Sequence, residues 1–300
     1  MVRMSGCIDI SMERGRIRML DPIFQIMDSI APVSWLGPEF MKRAFLALLF
    51  IGVACSAMGV LVVNFRMAFF SDAISHSAFT GVAIGVLLGI NPMITLVILG
   101  LLVGFGVTRL KERSDLPTDT IIGVTFSLAV ALGIVIISAK RALSRTLEAF
   151  LYGNVLAVND VEVLMMALLL LAVIVFLGLS YNRLFLIGIN DSLAQTRGVK
   201  VKVYNYIFAA VLALVVTVSI RVVGMLLVTA MLVVPAACAR NLARSAGAMF
   251  WYSVMVGLIS AVAGLALSFQ LDTSTGATVI LVAGILFILT YPVRVIMERK

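Results

Sequence analysis

From about residue 44 onward the chain alternates long apolar runs with short, mostly polar connectors. A helix that crosses a bilayer needs ~20 predominantly apolar residues. Nine runs qualify: 44–63, 70–90, 92–108, 119–139, 161–180, 203–220, 223–239, 250–269 and 275–293. The pattern predicts an all-α, polytopic transmembrane helical bundle over residues 44–293, with an N-terminal extension, 1–43, and a short cytoplasmic tail, 294–300. Within the extension, residues 22–36 either lie on the membrane surface as an amphipathic piece or form a solvated tail.

Small residues recur inside the runs at helical spacing. Ala73, Ser77, Gly81, Gly85 and Gly89 fall at four-residue intervals in the second span, and Gly100 with Gly104 and Ser260 with Gly264 and Ser268 repeat the pattern. Such stripes let helix backbones approach closely in lipid and predict a compact bundle. Pro235 removes one backbone donor from the seventh span, which predicts either a kink there or neutral packing around it.

Composition narrows the class. At 62% hydrophobic and only 13% charged residues, the chain has no segment that would stand alone as a soluble domain. The net charge of +8 therefore bears on membrane orientation and not on nucleic acid. With the C-terminus inside, the inner connectors hold Arg66, Arg109, Lys111, Arg113, Arg183, Arg197, Lys200, Lys202, Arg240, Arg244, Arg294, Arg299 and Lys300, whereas the outer ones hold Lys140, Arg141, Arg145 and Arg221. An odd number of spans then places the N-terminus outside. The first 43 residues carry six Lys/Arg and five Asp/Glu, an awkward charge for an outer segment, so translation from Met19, Met27 or Met41 is an alternative. Cys7, Cys55 and Cys238 show no paired spacing, so neither a disulfide framework nor a cysteine metal site is expected.

Candidate chemistry begins in the second span, in SDAISHSAFTG. His76 is the only histidine of the chain and stands four residues after Asp72. Residues at i and i+4 share a helix face, so Asp72, His76 and Thr80 form a polar stripe. Ionisable groups in a span are costly and normally face a bundle interior or an aqueous path. Carboxylate oxygen and imidazole nitrogen suit zinc, manganese or iron. The plainer alternative is a helix-end acid at the headgroups beside a hydrogen-bonded histidine. One chain supplies too few ligands, and a twofold dimer with two copies of each residue would supply four. Two further stretches are unusual. Asn190–Tyr206 is polar and basic, and fits short helices on the inner membrane face: either a solvated loop or a docking element for a cytoplasmic partner. Asp272 precedes Ser and Thr residues able to cap the last span, and is either part of that turn or a cation-attracting acid at the mouth of a pathway.

Together these blocks resemble the integral-membrane permeases of bacterial zinc, manganese or iron ABC importers, from about residue 45 to 293. RMAFFSDAISHSAFTGVAIGVLLGINP resembles that family's second-span signature, although Thr80 stands where the family often has Pro. AFLYGNVLAVNDVEV resembles the segment after its fourth span. INDSLAQTRGVKV resembles its cytoplasmic coupling region, with Asp191, Ala194 and Gly198 at the matching positions. VVGMLLVTAMLVVPAACARNLARS resembles its seventh span, and LDTSTGATVILVAGILFIL its last. The resemblance implies a multi-pass protein of the bacterial inner membrane and a homodimer. It implies two kinds of partner, a cytoplasmic ATPase subunit engaging segment 183–202 and an extracytoplasmic metal-binding protein. It implies Asp72 and His76 as metal ligands, with zinc expected first and manganese or iron next as the transported substrate, and no permanently bound cofactor. The chain lacks a GxxxxGK[ST] loop, so ATP is expected to be hydrolysed on the separate subunit. An ion-coupled carrier acting alone and an intramembrane enzyme are the rival classes; the enzyme lacks a base within reach of a nucleophile, since neighbours such as Ser75 and His76 point ~100° apart on a helix.

Overall fold

The computed structural model describes residues 21–30, 36–139, 153 and 155–298. Its helices are α1 (Asp21–Ile30), α2 (Glu39–Asn64), α3 (Phe70–Leu88), α4 (Pro92–Arg113), α5 (Thr118–Ala139), α6 (Asp160–Ile189), α7 (Asp191–Thr196), α8 (Val201–Val223), α9 (Met225–Leu242), α10 (Ala246–Leu271) and α11 (Thr275–Glu298). A 3-10 turn, Val155–Ala157, precedes α6. Nine of the helices, all except α1 and α7, are long and apolar enough to cross a membrane, as the runs of the sequence predict. Residues 1–20, 31–35, 140–152, 154 and 299–300 lie outside the described residues, and with them most of the second half of segment 22–36, Lys140, Arg141, Arg145 and part of the AFLYGNV block.

Local signals set the helix ends. Asn91 caps α4 by accepting from the Met93 N–H, with Pro92 at the first helical position. Asn159 and Glu162 close a reciprocal capping box on α6. The Ser245 hydroxyl accepts from the Ala248 N–H at the start of α10. Several helices outrun the apolar runs that reveal them. Helix α6 has 30 residues, ~45 Å at 1.5 Å per residue, against a hydrocarbon core of ~30 Å. Its last two turns carry Arg183 to Ile189, so the segment 183–202 comprises the end of α6, the short α7 with its flanking turns and the first residues of α8. At the other end of the chain, α2 starts at Glu39, directly after Pro38, so residues 39–43 belong to the first spanning helix and not to the extension. The extension also contributes to the core: Phe24 of α1 is buried, 6% exposed, in the main apolar cluster.

Helix α2 is central, packing on α6, α9 and α10, while α3 packs on α4, α5, α8 and α9. The most apolar stretch of α2 is 78% buried and that of α5 only 17%, so α2 is insulated by protein and α5 lies at the surface. Without water to expel from lipid, close backbone approach has to supply the packing. A Cβ at Gly59 would stand 1.8 Å from the Leu232 carbonyl oxygen of α9, and one at Gly257 would stand 1.8 Å from the Ser56 hydroxyl. Ser253 donates to the Ser56 carbonyl at 2.7 Å across the α2–α10 contact. At one end of the bundle, Arg43 of α2 meets Asp160 of α6 at 2.6 Å, and Arg221 of α8 meets Glu162 at 2.8 Å.

Candidate metal site

Asp72 and His76 occupy the first two turns of α3, both half-buried on one face. The His76 ring stands edge-on to Phe126 of α5, with centroids 4.9 Å apart and planes at 84°. The Thr229 hydroxyl of α9 lies within reach of the Asp72 carboxylate and also faces the Leu226 carbonyl at 3.3 Å, and Asp72 lies close enough to His76 for their charges to interact. The pair is thus held where α3, α5 and α9 meet. Two other hydroxyls of α3 are spent locally, Ser71 donating to Ala68 at 3.1 Å and Ser77 to Ile74 at 2.7 Å, whereas the buried Ser75 hydroxyl finds no hydrogen-bond partner among the described residues.

Thr80, the third member of the polar stripe, is fully buried and donates to the Ala129 carbonyl of α5 at 2.7 Å. Gly133 makes room for it, since a Cβ there would stand 2.5 Å from the Thr80 hydroxyl oxygen. A proline at this position could not make that bond. Thr80 therefore fastens α3 to α5, leaving Asp72, His76 and the Ser75 hydroxyl beside them as polar groups of α3 that remain open among the described residues. Among the described residues, no cluster of three or more His, Cys, Asp or Glu side chains is placed to hold a metal ion.

The small-residue stripe divides in two. Gly81 and Gly85 lie against α4, where added Cβ atoms would meet the Thr95 carbonyl oxygen at 2.8 Å and the Thr95 hydroxyl at 2.3 Å. Gly89, expected to pack, instead ends α3 in the left-handed conformation with φ 69°, and a Cβ there would meet nothing. Pro235 is buried inside α9, where the carbonyl of Met231 receives no i+4 N–H from it.

The remaining candidates lie elsewhere. Asp272 is exposed and ends α10 in a left-handed turn, φ 50°, its N–H bonded to the Ser268 carbonyl. The adjoining hydroxyls bond one another, Ser268 with Thr275 at 2.9 Å and Thr273 with Thr278 at 3.0 Å, as a turn between α10 and α11. Asp191 opens the six-residue α7 and is exposed. Ala194 is fully buried, with Ile187 and Val201, and Phe65 packs on the same cluster. Gly198 adopts φ 76° in open space after α7, a conformation that glycine takes without strain. Sequence reasoning missed Phe126, Gly133 and Thr229; an isolated threonine among the apolar residues of α9 was the one legible signal.

Nine helices able to cross a membrane among the described residues, with a half-buried acid and imidazole on one of them, fit a membrane permease. Comparison with known proteins makes this specific. The model of the ABC 3 transport family matches residues 38–294. The manganese import system permease protein ScaB of Streptococcus parasanguinis is 33% identical over 84% of this chain and 90% of its own length. The high-affinity zinc uptake system membrane protein ZnuB of Haemophilus influenzae is 31% identical over 84% of this chain and 97% of its own. The structure of PsaBC from Streptococcus pneumoniae in complex with Fab superposes with a TM-score of 0.74 at 28% identity, covering 90% of this chain and 95% of that one. The chain belongs to the ABC 3 transport family. It is a multi-pass permease of the ABC metal-importer type in the bacterial inner membrane, and not itself an enzyme.

Proposed function

We propose that this permease carries a divalent first-row transition-metal ion inward, and that Asp72 and His76 from two copies of the chain hold the ion on its way. The observation that carries the reading is the half-buried pair on one face of α3, positioned by Thr229 and Phe126 and short of ligands in a single copy. Two copies related by a twofold axis bring two carboxylates and two imidazoles, a set that serves Mn2+, Zn2+ and Fe2+. Relatives named for manganese recur, beside others named for zinc and iron. Zinc, favoured by the sequence blocks, is therefore one of three substrates to be compared directly.

In this reading an extracytoplasmic binding protein delivers the ion, with Asp272 a candidate contact at the entrance, and a cytoplasmic ATPase supplies the energy. The ATPase engages α7. Ala194 is buried, so it does not touch the ATPase but wedges α7 against Ile187, Val201 and Phe65. Phe65 stacks on Phe208 at 4.9 Å, and Asn64 beside it donates to the Phe185 carbonyl of α6 at 3.0 Å. From there the short α2–α3 connector leads to Asp72. Displacement of α7 thus has a packed route to the metal site. Site occupancy must be strong enough to admit the ion and weak enough to release it.

The test is uptake of Mn2+, Zn2+ and Fe2+, measured separately in a strain lacking the gene and complemented with wild type, Asp72→Ala or His76→Ala. Wild type should restore accumulation of at least one of the three metals and neither variant should. Normal uptake by both variants would sink the site; ATPase co-purification separates an ABC permease from a carrier working alone.

A further inference from the structure

We propose that the inner end of α6 and α8 holds the phosphodiester headgroup of an anionic phospholipid, in a cationic cavity separate from the metal route. The cavity has a volume of about 450 Å³ and is lined by Arg183 at the end of α6, Arg197 and Lys200 in the turn after α7, and Tyr204 on α8. None of its lining residues belongs to α3, α5 or α9, the helices that form the metal site.

Three observations specify the occupant. First, the charged side chains that line the cavity are all cationic. Arg183, Arg197 and Lys200 form no ion pair with an acidic side chain among the described residues. Arg183 instead donates to the Tyr204 hydroxyl, its guanidinium 5.6 Å from the centre of that ring. Tyr204 thereby fixes the Arg183 fork and leaves its other N–H groups for an acceptor with several oxygens. Second, α8 starts at this cavity without a side-chain cap, so the positive end of the helix adds to the field. Third, two exposed apolar rails lead away from the cavity toward the membrane centre. On α6, Leu179 (75% exposed), Val175 and Leu171 continue from Arg183 at four-residue steps; on α8, Val203, Ile207 and Leu214 continue along the exposed side. A soluble anion would use only the cations, whereas a phospholipid uses both, its headgroup in the cavity and its acyl chains along the rails. The excess of Lys and Arg in the connectors assigns this end to the cytoplasmic leaflet, and basic pockets between helices on that side suit anionic headgroups. A lipid bound there would brace α7, the element expected to meet the ATPase.

The full-length permease is reconstituted in nanodiscs of phosphatidylcholine with or without phosphatidylglycerol. Arginine modification by phenylglyoxal is then located by mass spectrometry. Phosphatidylglycerol should protect Arg183 and Arg197 and leave Arg113, at the far end of α4, reactive. Equal reactivity in both discs overturns the proposal. Protection in phosphatidylcholine discs by inorganic phosphate, to the same extent as by phosphatidylglycerol, assigns the cavity to a soluble anion and overturns the lipid. Second, phosphatidylglycerol retained through detergent purification is counted by native mass spectrometry. The double variant Arg183→Gln/Lys200→Gln should weaken retention roughly thirtyfold, from two lost surface cations, and Arg183→Lys/Arg197→Lys should keep it. Undiminished retention by the double variant, with the ATPase released instead, makes the cavity a protein contact and ends the lipid assignment.

Discussion

Two polar constellations lie within this apolar bundle, and they are built in opposite ways. At the junction of α2, α6 and α8, opposite charges meet: Arg43 with Asp160, and Arg221 with Glu162, whose second oxygen also accepts the Asn159 N–H at 3.1 Å. On α3, Asp72 and His76 face each other, a threonine hydroxyl and a ring edge, and neither forms an ion pair with a basic side chain among the described residues. The first arrangement pairs its charges within the chain and so fastens helices. The second leaves donor atoms open inside a span, where open polar groups are costly, and such a cost is retained for a ligand. Pairing, more than the presence of charge, separates scaffold from site in this molecule.

The largest expected effect tests that separation directly. Asp72→Ala and His76→Ala should each reduce metal uptake to the background of the deletion strain, while membrane insertion and ATPase co-purification stay at wild-type levels. Loss of insertion in both would instead make the pair structural, and the contrast with the ionic junction would disappear.

Next comes Thr229→Val, which keeps the shape of α9 and removes the hydroxyl within reach of Asp72. Outer contacts of this kind are worth ~10–100-fold in metal affinity, so the metal concentration for half-maximal uptake should rise by about tenfold. Thr229→Ser should restore it. If serine behaves as valine does, the threonine matters through packing and not through its hydroxyl.

The spans and the Asp72–His76 pair were legible because both are local: a ~20-residue apolar run and an i, i+4 spacing are properties of neighbouring residues. Thr229, Phe126 and Gly133 were not, because each meets α3 from a helix 50 or more residues away, and only packing brings them there. The helical state of residues 183–189 was not legible, because polarity marks where the bilayer ends, not where a helix ends; α6 continues for two turns beyond its apolar run. Gly89 was misread for a related reason. A glycine at stripe spacing looks the same in sequence whether it admits a neighbour or ends the helix with positive φ.

A smaller effect concerns the ionic junction's own surroundings. Phe24 is buried beside the start of α2, and Lys42 lies 5.8 Å over its ring. Full burial of such a side chain contributes about 2 kcal/mol. Phe24→Ala, or a chain starting at Met27, should therefore lower the thermal midpoint of the detergent-solubilised protein, whereas a chain starting at Met19 retains α1 and should not. Identical midpoints for all three would mean that α1 contributes nothing to the fold. Uptake by the surviving folded fraction should be normal in each case.

The smallest expected effect is at Glu162 and Arg221, and it is the sharpest test of the contrast. Arg221 is half exposed, so solvent screens the pair and it is worth no more than ~1 kcal/mol. Glu162→Gln removes the charge yet keeps an oxygen to accept the Asn159 N–H, because glutamine also completes a capping box. Arg221→Gln removes the other charge without touching the cap. The double-variant cycle then isolates the ion pair, and its coupling energy should stay within ~1 kcal/mol and shrink as ionic strength rises, since exposed pairs are screened beyond a Debye length of ~10 Å at 0.1 M salt. Uptake should match wild type in all three variants, because the junction fastens α6 to α8 and holds no ion. If Glu162→Gln instead lowered uptake as far as His76→Ala does while stability held, the acid would belong to the route of the metal, and pairing would no longer distinguish scaffold from site.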